Sequence, residues 1–391
     1  MRRLGLCLLV MFARPAIGQQ SSDRVIDAVV HDACGKRVVF LGEPPMHGFA
    51  RTLELKTEIA QRLVKSCGFN AFFIESGAYD FLNIRTKLAA HQPVTQTAIA
   101  AAIGGLWAVK EVEPLLPLLL DGAQRGALVL GGLDDQLGRG SYAQLQMPTD
   151  LVESLAGDDK ARCLAVLQRH MLYQYTNDAP YGAEDKARIL ECVDKIGVSL
   201  RQRAASPARE DAMAMLDNLR RMFARDFRAT PATAAQDFND RDASMYENFK
   251  WWQSRLPAGS KMIVWTATNH AAKNLAGVDG LSSLVSLGSQ IRRGFNGQVF
   301  VLGFSALSGT YALGRQPPRT LITAPENSLE AKAFQSGDAD TRYVDAKTLS
   351  QLGSIAARPL GADFKTARWS EVVDALVVLR QEHPPSASAS P

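Results

Sequence analysis

A series of short apolar runs, each closed by glycine, proline or a polar cluster, sets the strongest limit on how this chain can fold. Val38–Leu41, Ala71–Ile74, Ala127–Leu130, Lys261–Trp265, Gln298–Phe304 and Val372–Leu379 are too short for stable helices. They are rich in β-branched and other apolar residues, the pattern of buried strands. Helical stretches lie between them. Thr52 to Lys65 carries Leu53, Ile59, Leu63 and Val64 as an apolar stripe and stops at Gly68, and Thr95 to Arg125 and Leu281 to Arg293 are helical in pattern too. Strand–helix alternation predicts an α/β fold with a mostly parallel central sheet flanked by helices. The stretch from Pro148 to about Asp240 breaks the alternation. It is charged, Arg-rich and helical, with a turn at Ala179–Gly182, and it predicts an inserted helical subdomain that lids or caps the sheet. Residues 24–147 and 241–380 then form the two parts of the α/β domain, and 148–240 the insertion. Residues 381–391, rich in Pro, Ser and Ala, read as a disordered tail.

With 46% hydrophobic and 21% charged residues over 391 positions, the chain can bury a large core. Its net charge is +4 without a long Lys/Arg cluster, so no nucleic-acid partner is expected. Arg2 and Arg3 precede the apolar run Leu4 to Phe12, and Ala16-Ile17-Gly18 supplies small residues for cleavage. Residues 1–18 therefore read as a secretory signal peptide cut after Gly18, and the mature protein as secreted or periplasmic. No later segment is long and apolar enough to span a membrane. Export leaves Cys34, Cys67, Cys163 and Cys192, an even set in an oxidising compartment. Three connectivities are open to four cysteines. A helix packed back along its strand favours Cys34–Cys67, and consecutive helices favour Cys163–Cys192. No C-x-x-C spacing occurs, so a zinc site from these cysteines is not expected. Oligomeric state is left open.

In sheets of this kind ligands bind beyond the carboxyl ends of the strands. Carboxylates collect there: Glu43 after the first run, Glu75 after the second, Asp134 after the third. Helix capping accounts for some such residues, but three in succession point to a site. The first run continues as Gly42-Glu43-Pro44-Pro45-Met46-His47-Gly48, setting an imidazole four residues from a carboxylate on a rigid loop. The two form an acid–base pair, or else are an ordinary loop glutamate and a surface histidine. The fourth run ends in Thr266-Ala267-Thr268-Asn269-His270, so a second histidine reaches the same edge. His31 falls at the opposite edge, and His91, His170 and His383 read as ordinary solvated histidines. Trp251-Trp252 reads as core or pocket wall. The chain holds no Gly-x-Ser-x-Gly elbow, no His-Glu-x-x-His and no phosphate loop.

Taken in order, these residues resemble the erythromycin esterase family. The resemblance rests on Gly42-Glu43 with His47-Gly48, Glu75, Trp107 with Glu111, Gly132 with Asp134, Arg241-Asp242 with Met245 and Asn248, and Trp265 with His270. Trp107 and Glu111 are spaced for one helix face. Gly288 to Gly309 and Asp374-Ala375-Leu376 extend the likeness over most of the mature chain. Three departures stand out. One extra residue lies between Glu43 and His47, Ala267 and Thr268 replace a histidine and an asparagine, and Lys56 stands where family members carry arginine.

The resemblance implies hydrolysis of a small-molecule ester or lactone, macrolides being the family's substrates. Water is activated on His47, with Glu43 or Glu75 orienting and charging the imidazole. His270 orients the water or donates to the developing oxyanion, and Lys56 adds positive charge there. Lys56, Asp134, Arg241 and Asn248 are the implied substrate contacts, and no cofactor is implied. Two other readings remain. One is a metal-dependent hydrolase with a divalent ion on His47, His270, Glu43 and Glu75. The other is a non-catalytic protein binding haem, iron or another small ligand, and Ala267 also raises a decayed homologue.

Overall fold

A computed structural model describes residues 17–225, 232–314 and 316–388, with side chains from Ser22 onward. Of the expected signal peptide, residues 1–18, all but Ile17 and Gly18 lie outside the described residues. The strands are Val38–Leu41 (β1), Ala71–Gly77 (β2), Val129–Asp134 (β3), Met262–Trp265 (β4), Val299–Tyr311 (β5), Arg319–Thr320 (β6), Thr341–Val344 (β7), Ser354–Ala357 (β8), Lys365–Arg368 (β9) and Ala375–Glu382 (β10). The main sheet runs β3-β2-β4-β1-β5-β10-β7, parallel except for β7 at one edge, with β6 paired antiparallel to β5. β8 and β9 form a separate hairpin. β1 and β4 lie at its centre and every residue of both is buried, which is why they are continuous apolar runs without alternation.

Register decides where the site falls. Leu41 pairs with Trp265 and Leu302, and Ile74 pairs with Trp265, so Glu75 in β2 follows the residue level with the ends of β1 and β4. Glu43, Glu75 and Ala267 are therefore delivered to one edge. The expected disulfides are both present: Cys34–Cys67 and Cys163–Cys192. Cys34 ends a helix, Ile17–Cys34, that packs on the helix Ala50–Cys67 and was not expected from the sequence. Among the described residues no helix is long and apolar enough to cross a membrane.

Several bounds differ from expectation. The helical reading of Thr95 to Arg125 breaks into Gln96–Ile103 and Leu116–Gln124, with turns between. Gly104 at φ +85° ends the first helix and Pro114 opens the second approach, so Trp107 and Glu111 sit on turns, not on one helix face. Leu281 to Arg293 shrinks to a helix over Leu287–Arg292. The last strand starts at Ala375 because Trp369–Val372 is a helical turn. The tail is not disordered as far as residue 388: β10 includes Gln381 and Glu382, and Ala387 bridges Val109. Residues 148–240 hold helices and no strand among the described residues, chiefly Gly157–Met171, Ala183–Gln202 and Pro207–Ala224. The long helix Ala234–Gln253 then leads back into the sheet.

Candidate active site

The loop after β1 is shaped by close backbone packing. A Cβ on Gly42 would stand 2.9 Å from Leu302 O, and one on Gly48 would stand 2.0 Å from Ala312 O, so both positions need glycine. His47 N bonds Pro44 O at 3.0 Å, and His47 itself takes φ +54°, a left-handed conformation rare outside glycine. This turn aims the imidazole back at Glu43: Nδ1 lies 2.9 Å from Glu43 Oε1. Trp107 Nε1 donates to the same oxygen, its ring edge-on to His47 at 5.0 Å. Lys56 Nζ sits 3.1 Å from Glu43 Oε2 and 4.1 Å from the Trp265 ring centroid. Burial alone would raise the Glu43 carboxyl, but Lys56, His47 and Trp107 outweigh it and hold it below the usual carboxylate range. Burial pushes the Lys56 ammonium down to about 8, against the pull of Glu43. His47 Nε2 has no hydrogen-bond partner among the described residues, and the side chain is 11% exposed.

A second cluster completes the edge. Glu75 Oε2 accepts from Thr266 Oγ1 at 2.6 Å and Ala267 N at 2.8 Å, while Oε1 faces Arg241 Nη2 at 2.8 Å and His270 Nε2 at 3.3 Å. Burial would raise its carboxyl; His270 and Arg241 drive it far below the ordinary range instead. Arg241 also grips Asp134 through Nε at 3.2 Å and Nη2 at 2.7 Å. His270 Nδ1 lies 2.6 Å from Asp242 Oδ1, and its ring stacks on Phe238. Burial opposes a charged His270, yet Asp242 and Glu75 raise its affinity for a proton. Neutral, it accepts from Arg241 Nη1 at 3.1 Å; protonated, it donates to Glu75.

Glu43, His47, Glu75, Asp134, Arg241 and His270 therefore meet at one edge, as the strand ends suggested. Two of the implied substrate contacts do not reach it. Lys56 is 0% exposed and lies behind Glu43, so it charges the carboxylate and cannot touch a ligand. Asn248 is buried between helices, its amide exchanging hydrogen bonds with Asn218 and donating to Leu133 O at 2.7 Å. It braces the strand that presents Asp134. His270 is 3% exposed with both ring nitrogens engaged, so it holds Glu75 and Arg241 in place and does not meet water directly. His170, read as solvated, is buried at 9%. Two participants went unselected: Trp107 and Asp242 were visible only as motif companions, and the carboxylate next to Arg241 was the available signal.

The residues do not fit a shared metal. Among the described residues no three His, Cys, Asp or Glu side chains are placed to hold an ion, and the carboxylates are spent on Lys56 and Arg241. Two cavities are lined by none of these cluster residues: one of about 540 Å³ beside Ser76 and Gly77, and one of about 1000 Å³ toward the insertion.

A family model described as erythromycin esterase matches residues 64–381. Among solved structures the chain is similar to a succinoglycan biosynthesis protein, with TM-score 0.68 and 13% identity over 96% of this chain and 100% of that one. It is similar to a Bacillus cereus protein at TM-score 0.65 and 16% identity, covering 95% and 100%. It is also similar to a mutant of the erythromycin esterase EreC in its open conformation, at TM-score 0.61 and 16% identity, covering 93% and 95%. At such identities these likenesses show the fold. No curated protein sequence matches the chain.

Proposed function

The chain belongs to the erythromycin esterase family, and from that premise we propose that it hydrolyses an ester or lactone with His47 as general base. The observation that carries this is the asymmetry of the His47 ring. Nδ1 is fixed on an ionised, buried Glu43, and Nε2 is the nitrogen left to take a proton. In the proposed reaction Nε2 removes a proton from water, the hydroxide oxygen bonds the carbonyl carbon, and the carbon–oxygen bond to the alcohol breaks. The alkoxide leaves with the proton held on His47, giving acid and alcohol. Arg241, 22% exposed on its side chain, supplies positive charge at the rim, taking the part first given to Lys56 and His270. Glu75, Asp134 and His270 position it.

The two disulfides suit an oxidising compartment, which supports export; the cut after Gly18 rests on the small residues Ala16-Ile17-Gly18. The insertion over 148–240 is proposed as the cap. A screen of macrolides, simple esters and lactones tests the reading. His47→Ala is expected to lose about 10²–10⁴-fold in turnover on any ester cleaved. Unchanged turnover in that variant, or chelator-sensitive activity restored by a divalent ion, defeats it. A Soret shift on haem addition that needs His47 would favour the binding module instead.

A further inference from the structure

The cavity of about 1000 Å³ lies between the loop after β3 and the helices Gly157–Met171, Ala183–Gln202 and Pro207–Ala224. That volume is at the upper end of the range for small-molecule sites. Leu137, Met171 and Met222 give it an apolar wall, and Leu172 and Tyr173 stand 42% and 67% exposed at its mouth. Exposed apolar side chains gathered at a concavity mark binding surfaces more often than chance placement does. Among the described residues, the basic side chains in its lining are Arg139 and Lys186, and no carboxylate lines it.

Both cations line the cavity. Neither has a side-chain hydrogen bond or ion pair among the described residues, as is also true of Arg201, whereas Lys160, Arg162, Arg188, Lys195 and Arg220 on the surrounding helices are ion-paired. Asp185, which faces His170, is engaged by Gly182 N at 3.1 Å and Arg169 Nη1 at 3.5 Å. Burial pushes the His170 imidazole down to about 4, so among the described residues Arg139 and Lys186 carry the charge of the lining at neutral pH. Arg139 sits between Gly138 and Gly140 and also lines the cavity of about 540 Å³ next to Ser76 and Gly77, one residue past Glu75.

We propose that the larger cavity is a binding site for an amphipathic anion, an apolar or aromatic body bearing one carboxylate, sulfonate or phosphate. Arg139 and Lys186 bind the anionic group and Leu172, Tyr173 and the methionines bind the body. Arg139 is shared with the smaller cavity, which Ser76 and Gly77 line. The site stands on the cavity and its charges, independently of any hydrolysis.

Two fluorescent probes of nearly the same shape test it on the full chain: anilinonaphthalene sulfonate, which is anionic, and N-phenylnaphthylamine, which is neutral. The sulfonate is expected to bind at least about tenfold more tightly. Arg139→Gln combined with Lys186→Gln removes that preference and leaves the neutral probe's Kd within about twofold, and Leu172→Glu weakens both probes. These positions are exposed or half-buried, so the variants keep the fold, checked by circular dichroism. His47→Ala leaves both constants unchanged, which separates failure of this site from failure of the hydrolytic reading. Equal affinity for the two probes, or a preference that survives loss of both cations, overturns the proposal.

Discussion

His47 takes its orientation from a carboxylate that is 1% exposed, and that carboxylate is paired with a lysine that is 0% exposed. A buried pair is weak evidence for stability in itself, but removing one partner leaves a charge in a low-dielectric site, at about 3–5 kcal/mol. Lys56→Met is therefore expected to destabilise by about that amount, and Lys56→Met with Glu43→Gln by clearly less than the two single changes summed. Urea unfolding of the four proteins measures the coupling, and additive effects would show that Lys56 does not serve Glu43. Most of this cluster was legible because strand ends are legible: Glu43, Glu75 and Asp134 each follow an apolar run. Lys56 and Asn248 were misjudged for a physical reason. Side-chain type does not reveal which way a charged or amide group on a helix points, and both are turned inward to satisfy other buried polar groups. Asp242 was missed because its value lies in bonding His270 Nδ1, a contact made 28 residues away in the chain.

The helix Ala50–Cys67, which carries Lys56, begins without a side-chain cap from its own N-cap residue, Phe49. The cap comes from the far end of the chain. Glu382, the last residue of β10, accepts from Arg51 N at 3.1 Å, Thr52 N at 2.9 Å and Thr52 Oγ1 at 2.5 Å. Burial pushes its carboxyl from 4.5 up to about 7, the hydrogen bonds notwithstanding. An acid whose pKa is higher folded than unfolded holds its extra proton only in the native state. Its contribution is therefore full below about pH 4.5 and is lost as pH rises through about 7. Glu382→Gln does not titrate and turns an amide N–H₂ toward backbone donors. It is expected to be less stable than the parent by about 0.5–2 kcal/mol at pH 5, with the gap narrowing by pH 8. A gap that widens with pH would mean the carboxylate form is the favoured cap. The central strands were readable from sequence because burial on both faces forces apolar runs. β7, β8 and β9 are only four residues long and partly exposed, so their polar residues hid them.

At the scale of the whole molecule, residues 386–388 close on a turn far from them in the sequence, beside the site. β10 leaves the sheet at Glu382, and the following residues run across the turn that carries Trp107. Ser386 N donates to Glu111 Oε1 at 2.9 Å, Lys110 N donates to Ser386 O at 3.2 Å, Ala387 bridges Val109, and Ser388 Oγ donates to Glu113. Composition alone, rich in Pro, Ser and Ala, gave no sign of this, because the pairing is by backbone and by two glutamates, Glu111 and Glu113, in a stretch that looked helical. The consequence is mechanical. The turn from Gly104 to Val112 forms no continuous helix, and its own bonds on this side are those of Trp107 N and Ala108 N to Gly104 O at 3.1 and 2.9 Å. Yet Trp107 must hold its indole N–H on Glu43 Oε1, the oxygen that also orients His47. Truncation after His383 keeps β10 and the Glu382 cap but removes the strap. It is expected to lower kcat by roughly tenfold while moving the unfolding midpoint little, since misplacing one orienting contact acts on the reacting geometry more than on the core. Trp107→Phe should cause a loss of similar size, and the truncated Trp107→Phe protein no more than either alone, because both act through one hydrogen bond. Multiplying losses in the double variant would mean that the strap acts on the site by a route other than Trp107. Full activity in the truncated chain would mean that the turn holds its place unaided.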